Sequence, residues 1–113
     1  MFRIQADKLP FWHWPKGSTT AGTGTGQGVA DIIEYVASLI PSSFVKRYGW
    51  LDPDFLMTLF PLTMSETDSR TEFSFWSLWS APLIVATDVR KMSKTKAAIL
   101  MNDEVIAINQ DEL

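Results

Sequence analysis

At 113 residues, 46% of them hydrophobic and with five Trp and seven Phe, the chain holds enough apolar material for one packed domain and lacks the composition of a disordered segment. A net charge of -3, with no basic stretch denser than "RKMSKTK", argues against a nucleic-acid surface. With no cysteine and the single His13, the chain offers no disulfide framework and no thiolate or histidine metal cluster, and no apolar run reaches the length of a membrane span.

The opening "MFRIQAD" reads as the end of an apolar strand running into a turn, and the charges of Arg3, Asp7 and Lys8 leave no room for the apolar core of a signal peptide. Residues 8–27, "KLPFWHWPKGSTTAGTGTGQ", change from aromatic and proline-rich to small and glycine-rich without any period, which predicts a long loop. In "GVADIIEYVASLI" the residues Val29, Ile32, Ile33, Val36 and Ile40 recur at helical spacing, and Pro41 ends the run. "SSFVKRYGW" fits a short strand. A second helix is predicted in "MSETDSRTEFSFWSLWSA", with Ser65 as N-cap, Glu66 and Asp68 in the first turn and Pro82 beyond its end. Its aromatics Phe73, Phe75, Trp76 and Trp79 fall on more than one face, so cover is expected on most sides. "PLIVATD" has the unbroken apolar character of a parallel strand buried on both faces. A third helix, "SKTKAAILMN", is capped by Ser93, and "EVIAIN" is a final short apolar segment.

This alternation predicts an α/β fold with a parallel sheet and right-handed crossovers. Three helices do not cover both faces of three such strands, so further polypeptide is expected to complete the fold. The C-terminal "QDEL" differs in its first position from the tetrapeptide that retrieves proteins to the endoplasmic reticulum.

Chemistry is concentrated in "RYGWLDPDFL", where Asp52 and Asp54 flank a proline at the end of an apolar run. Asp and Pro together make turns, and the same pattern places two carboxylates at a strand tip. A third acid, Asp7, follows the N-terminal strand. "AGTGTGQGVADII" opens a helix with glycines, as phosphate-binding loops do, but it is not G-x-G-x-x-G, no strand immediately precedes it and the Walker lysine is absent. Trp12, His13 and Trp14 form an aromatic cluster in the long loop that is expected to pack over the edge of the fold.

Three blocks, "GWLDPDFL", "FSFWSLWSAPLIVATDVRKMS" and "ILMNDEVIAINQD", resemble in order and spacing the closing part of the catalytic domain of glycoside hydrolase family 27, the α-galactosidases and α-N-acetylgalactosaminidases. The family's equivalents run approximately G-W-N-D-P-D-M-L, F-x-x-W-x-x-x-x-A-P-L and E-V-I-A-[IV]-N-Q-D, and the match covers about residues 47–111. The resemblance implies a (β/α)8 barrel of which this chain supplies a part, about strands six to eight with their helices. In such barrels the substrate lies at the C-terminal ends of the strands. Residues 1–113 would then be the C-terminal portion of the catalytic domain, with a long loop inserted at about 8–27.

The resemblance also implies roles. The family's W-R-x-x-x-D pattern falls on Phe2, Arg3 and Asp7, making Asp7 the catalytic acid/base and Arg3 a ligand of the sugar. Asp54 and Phe55 would line the galactose pocket, Asp52 would order the turn, and Trp12 and Trp14 would be weaker candidates for sugar contact. Leu51 and Phe55 replace the family's asparagine and methionine, which would reshape the pocket wall. The nucleophile, an aspartate in K-x-D on strand four, has no counterpart in this sequence. Retaining hydrolysis needs both carboxylates, one attacking the anomeric carbon and one protonating the departing oxygen, so the chain is expected to be a piece of a longer enzyme and inactive alone. The implied partner is an α-galactoside, with no nucleic acid, membrane, metal or organic cofactor, and the implied location is secreted, vacuolar or lysosomal. The alternative is a non-catalytic sugar-binding module or a degenerate paralogue of the same barrel.

Overall fold

The computed structural model describes the backbone of residues 2–3 and, with their side chains, residues 8–13, 27–39, 50–58 and 64–111. The side chain of Arg3, the whole of Asp7 and Trp14, the glycine-rich residues 21–26 and most of the predicted strand "SSFVKRYGW" lie outside the described residues. In chain order the elements are β1 (Phe2–Arg3), α1 (Val29–Leu39), β2 (Leu51–Asp52), α2 (Glu66–Leu78), a 3-10 turn (Val89–Lys91), α3 (Lys94–Leu100) and α4 (Asp103–Asn109).

β1 and β2 pair in parallel, Phe2 opposite Leu51 and Arg3 opposite Asp52. Parallel bridges continue the pattern at Lys8 with Gln27 and at Leu56 with Val85. The parallel arrangement expected from the alternation is therefore present, but "PLIVATD" is not a full strand. Val85 alone bridges, while Leu56 donates its N–H to the Ile84 carbonyl and accepts from the Ala86 N–H. Ile84 is half exposed, so the segment's apolar character here serves one paired position rather than two covered faces.

α1 buries Val29, Ile32 and Val36, the stripe its spacing predicts. Its first turn is held from outside: Phe11 and Trp12 offer their carbonyls to the N–H groups of Val29 and Ala30, at 2.9 and 2.8 Å. These are donors that a helix N-terminus otherwise leaves orphaned. The segment 11–13 passes so close that a Cβ on Gly28 would meet the Trp12 and Phe11 carbonyl oxygens at 2.5 and 2.7 Å, so only glycine fits there.

α2 begins in a reciprocal capping box between Ser65 and Asp68. Its buried residues, Ser69, Glu72, Phe73, Trp76 and Ser77, form one stripe, with Phe75 and Trp79 packed at its flanks and Leu78 exposed. Beyond the first turn the exposed residues are Arg70, Ser74 and Leu78, a single stripe, so the helix is covered on most sides, as its aromatics lead one to expect. After the C-cap Trp79, Ser80 lies in the left-handed region with φ 49°, and the Ser80 and Ala81 N–H groups bond the Ser77 and Trp76 carbonyls.

"EVIAIN", the final short apolar segment, is helical. Asn102 accepts from the Val105 N–H, Asp103 and Glu104 place acid in the first turn, and α4 packs on α2 with Asn109 donating to the Ala81 carbonyl at 2.9 Å. Local capping and tertiary contact override the β preference of Val105, Ile106 and Ile108. The core gathers Val29, Ile32, Val36, Leu51, Leu56, Met64, Phe73, Trp76 and Ile99 between the helices and the strand segments.

Candidate functional site

Because β1 and β2 run parallel, the chain leaves both of them at the same end of the sheet, the C-terminal ends of the strands. At that end, Pro53 is buried and Asp54 follows at φ 73°, a left-handed conformation that aspartate tolerates because its short side chain bonds the local backbone. Asp52 Oδ1 accepts the Asp54 N–H at 3.1 Å, and Asp54 Oδ1 accepts the Phe55 N–H at 2.8 Å. The result is a tight reversal that buries the Asp54 carboxylate and leaves Phe55 43% exposed.

The N-terminal segment reaches this turn. Lys8 donates its backbone N–H to Asp54 Oδ2 at 2.9 Å, so the residue directly after Asp7 sits on the Asp54 carboxylate. The Lys8 side chain runs inward and is 1% exposed. Its ammonium donates to the Phe55 carbonyl at 3.1 Å, forms an ion pair with Glu72, and lies 4.5 Å from the centroid of the Trp76 ring. Burial pulls the Lys8 ammonium down to about 7, opposed by the nearby Asp54 carboxylate.

α2 supplies the floor. Glu72 accepts the Met57 N–H at 3.0 Å and the Thr58 hydroxyl at 2.7 Å, and Trp76 donates its indole N–H to the Asp54 carbonyl at 2.8 Å. Ser69 shares its hydroxyl proton between the Thr58 and Ser65 carbonyls. Together these bonds hold the strand tip, residues 54–58, against α2.

The candidates read from the sequence divide accordingly. Asp52, Asp54 and Phe55 share one turn. Trp12 is half-buried against the core, in an edge-on contact with His13 at 6.3 Å, and His13 bonds Asp31 at 3.0 Å. Lys8, Glu72, Thr58 and Trp76 were not candidates. Glu72 carried the one available signal, an acid inside the i, i+3, i+4, i+7 stripe of Ser69, Glu72, Phe73 and Trp76. Lys8 gave none, because it lies in a loop without period.

A cleft of about 420 Å³ lies elsewhere, between Trp50, Ser80 to Leu83 and Asn109 to Asp111. Trp50 precedes β2 and Ser80 to Leu83 precede the Val85 bridge, so this part of the cleft's lining lies toward the end of the strands opposite Asp54. Among the described residues no three His, Cys, Asp or Glu side chains gather as a metal site, and no helix is long and apolar enough to cross a membrane.

Residues 23–111 match the melibiase model described as Alpha galactosidase A. The chain belongs to this family. It is similar, at 34% identity over 112 residues, to an alpha-galactosidase A of Cellvibrio japonicus, and at 51% over 65 residues to an alpha-galactosidase of rice, Oryza sativa subsp. japonica. Those matches cover 99% and 58% of this chain but 26% and 15% of the relatives, so the chain spans about a quarter or less of their length. The alpha-galactosidase I structure from Mortierella vinacea overlays 97% of the chain at a TM-score of 0.71 and 29% identity, using 28% of its own length. The Saccharomyces cerevisiae alpha-galactosidase gives 0.80 over 97% of the chain and 25% of its own, at 23% identity. The match places the chain in an α-galactosidase region of glycoside hydrolase family 27. Solved α-galactosidases are TIM barrels; the parallel strand segments and packed helices described here form part of that fold, with no closed barrel among the described residues.

Proposed function

We propose that the chain forms part of a retaining α-galactosidase that hydrolyses terminal α-D-galactosyl residues, as the closing portion of its (β/α)8 catalytic domain. In this reading Asp7 is the acid/base, Arg3, Asp54 and Phe55 contact the galactosyl group, and the segment 8–27 is a loop on the catalytic face. The attacking carboxylate comes from polypeptide outside this sequence, about 5 Å from Asp7 when the barrel is closed.

The observation that carries the reading is the 2.9 Å bond from the Lys8 N–H to Asp54 Oδ2. It draws the residue after the proposed acid/base onto the proposed sugar ligand, at the strand ends where barrel enzymes bind substrate. A sugar hydroxyl is well matched to such a site, since a carboxylate already held by backbone N–H groups is fixed in direction before the ligand arrives. The exposed Phe55 ring beside it offers an apolar face for a pyranose.

The test is hydrolysis of an aryl α-galactoside by this chain alone and by the chain combined with the first five strands of a relative's barrel. The chain alone should give no turnover. The combined protein should turn over, and Asp7→Asn should lower kcat by at least about a hundredfold, the scale of a lost general acid. Turnover by the chain alone would refute the assignment of the attacking group elsewhere. Galactose binding by the combined protein without turnover would favour the sugar-binding alternative.

A further inference from the structure

Lys8 is the buried cation of this strand end, and it is built into the geometry of Asp54 from three sides. Its N–H holds Asp54 Oδ2, its ammonium holds the Phe55 carbonyl, and the ammonium is anchored on Glu72. Trp76, whose ring lies beneath the ammonium, holds the Asp54 carbonyl. Each peptide carbonyl of the Asp54–Phe55 pair is therefore fixed by a different donor, one from the loop and one from α2. Loss of the ammonium would release the Phe55 carbonyl and leave Glu72 with only Met57 and Thr58 as donors.

We infer that Lys8 is a positioning residue for the galactoside site: its ammonium, braced on Glu72, holds the Asp54–Phe55 turn and the segment following Asp7 in the orientation that receives the sugar. The inference rests on the function proposed above. Among the described residues, the charged groups facing the ammonium are Glu72 from α2 and Asp54 from the turn after β2. His13 is engaged with Asp31 on α1. Burial brings the Lys8 charge to its titration point near neutrality, so the brace is set below about pH 7 and released above it.

Two measurements test this. The first uses the wild-type protein without sugar and follows the Phe55 and Met57 amide signals from about pH 5.5 to 9, a window that brackets the lowered lysine. Both should move with one midpoint near 7, because Phe55 carries the carbonyl that Lys8 holds and Met57 donates to the carboxylate that Lys8 pairs. The step should vanish in the double variant Lys8→Met/Glu72→Gln, which retains His13 and removes the buried charges together so that neither is stranded. Flat signals in the wild type, or a step that survives in the double variant, overturn the inference. The second measures galactose affinity of the barrel-completed protein. Wild-type affinity should fall at least about tenfold from about pH 6 to 8.5, and the double variant should bind at least about tenfold more weakly at about pH 6 with no change over that range. Equal affinity in the two proteins at the lower pH overturns the inference. Absence of galactose binding by the wild type speaks against the proposed function, and the amide titration then decides the role of Lys8 by itself.

Discussion

Removing one charge of the Lys8–Glu72 pair should be far more damaging than removing both. Both side chains are fully buried, and Glu72 spends its two oxygens on Lys8, Met57 and Thr58. At about pH 6 the ammonium is charged, so Glu72→Gln strands a buried cation and places an amide N–H₂ against existing donors. Lys8→Met strands the carboxylate. Each single change should cost about 3–5 kcal/mol, the range for breaking a buried pair from one side. In the double variant the geometry recovers: the carbonyl of the introduced glutamine can accept the Met57 N–H, its amide can donate to the Thr58 hydroxyl, and the methionine fills the lysine's volume against Trp76. A cost of about 1–3 kcal/mol is expected, for lost charge-assisted bonds alone. The coupling between the sites should therefore reach about 3 kcal/mol or more, read from urea unfolding of the four proteins at about pH 6. Additive single effects, with coupling under about 1 kcal/mol, would show that the two groups do not depend on each other.

Other outcomes follow from the same packing. Gly28→Ala should destabilise by about 1–3 kcal/mol, since the added methyl meets backbone carbonyls that cannot step aside; thermal unfolding measures it. Ser80→Gly should stabilise by about 1 kcal/mol, because it relieves a left-handed serine at the end of α2 while keeping both capping bonds, and an unchanged melting temperature would contradict this. Ser77 is 1% exposed and its hydroxyl has no hydrogen-bond partner among the described residues, so Ser77→Ala should be neutral or stabilising by up to about 1 kcal/mol in the same assay. Stability should also depend on pH above neutrality. With the Lys8 ammonium lowered from 10.5 to about 7, the unfolded chain binds more protons than the folded one between those values. Unfolding free energy should therefore rise as pH increases from about 7 toward 10, and Lys8→Met should remove that slope.

Much of the local structure was legible in the residues. The stripe of Val29, Ile32 and Val36 sets α1, and Ser65 with Asp68 sets the start of α2, because spacing and capping act within a few residues. "GWLDPDFL" likewise carried its turn, since an aspartate bonding the N–H two residues on is a local interaction. "EVIAIN" reads from its residues only as a short apolar segment, because its β-branched residues give no helical preference of their own; the Asn102 cap and packing on α2 make it a helix. "PLIVATD" was over-read because apolar continuity does not state how many of its residues find a pairing partner.

The sequence by itself determined α1, α2 and α3, the family and the Asp52–Pro53–Asp54 reversal, each of which rests on neighbours along the chain. Only the tertiary structure decided that Lys8 reaches Asp54 across 46 positions and that Glu72 and Trp76 brace that turn from α2. A buried charge gains its meaning from partners brought together by folding, and no spacing rule records them.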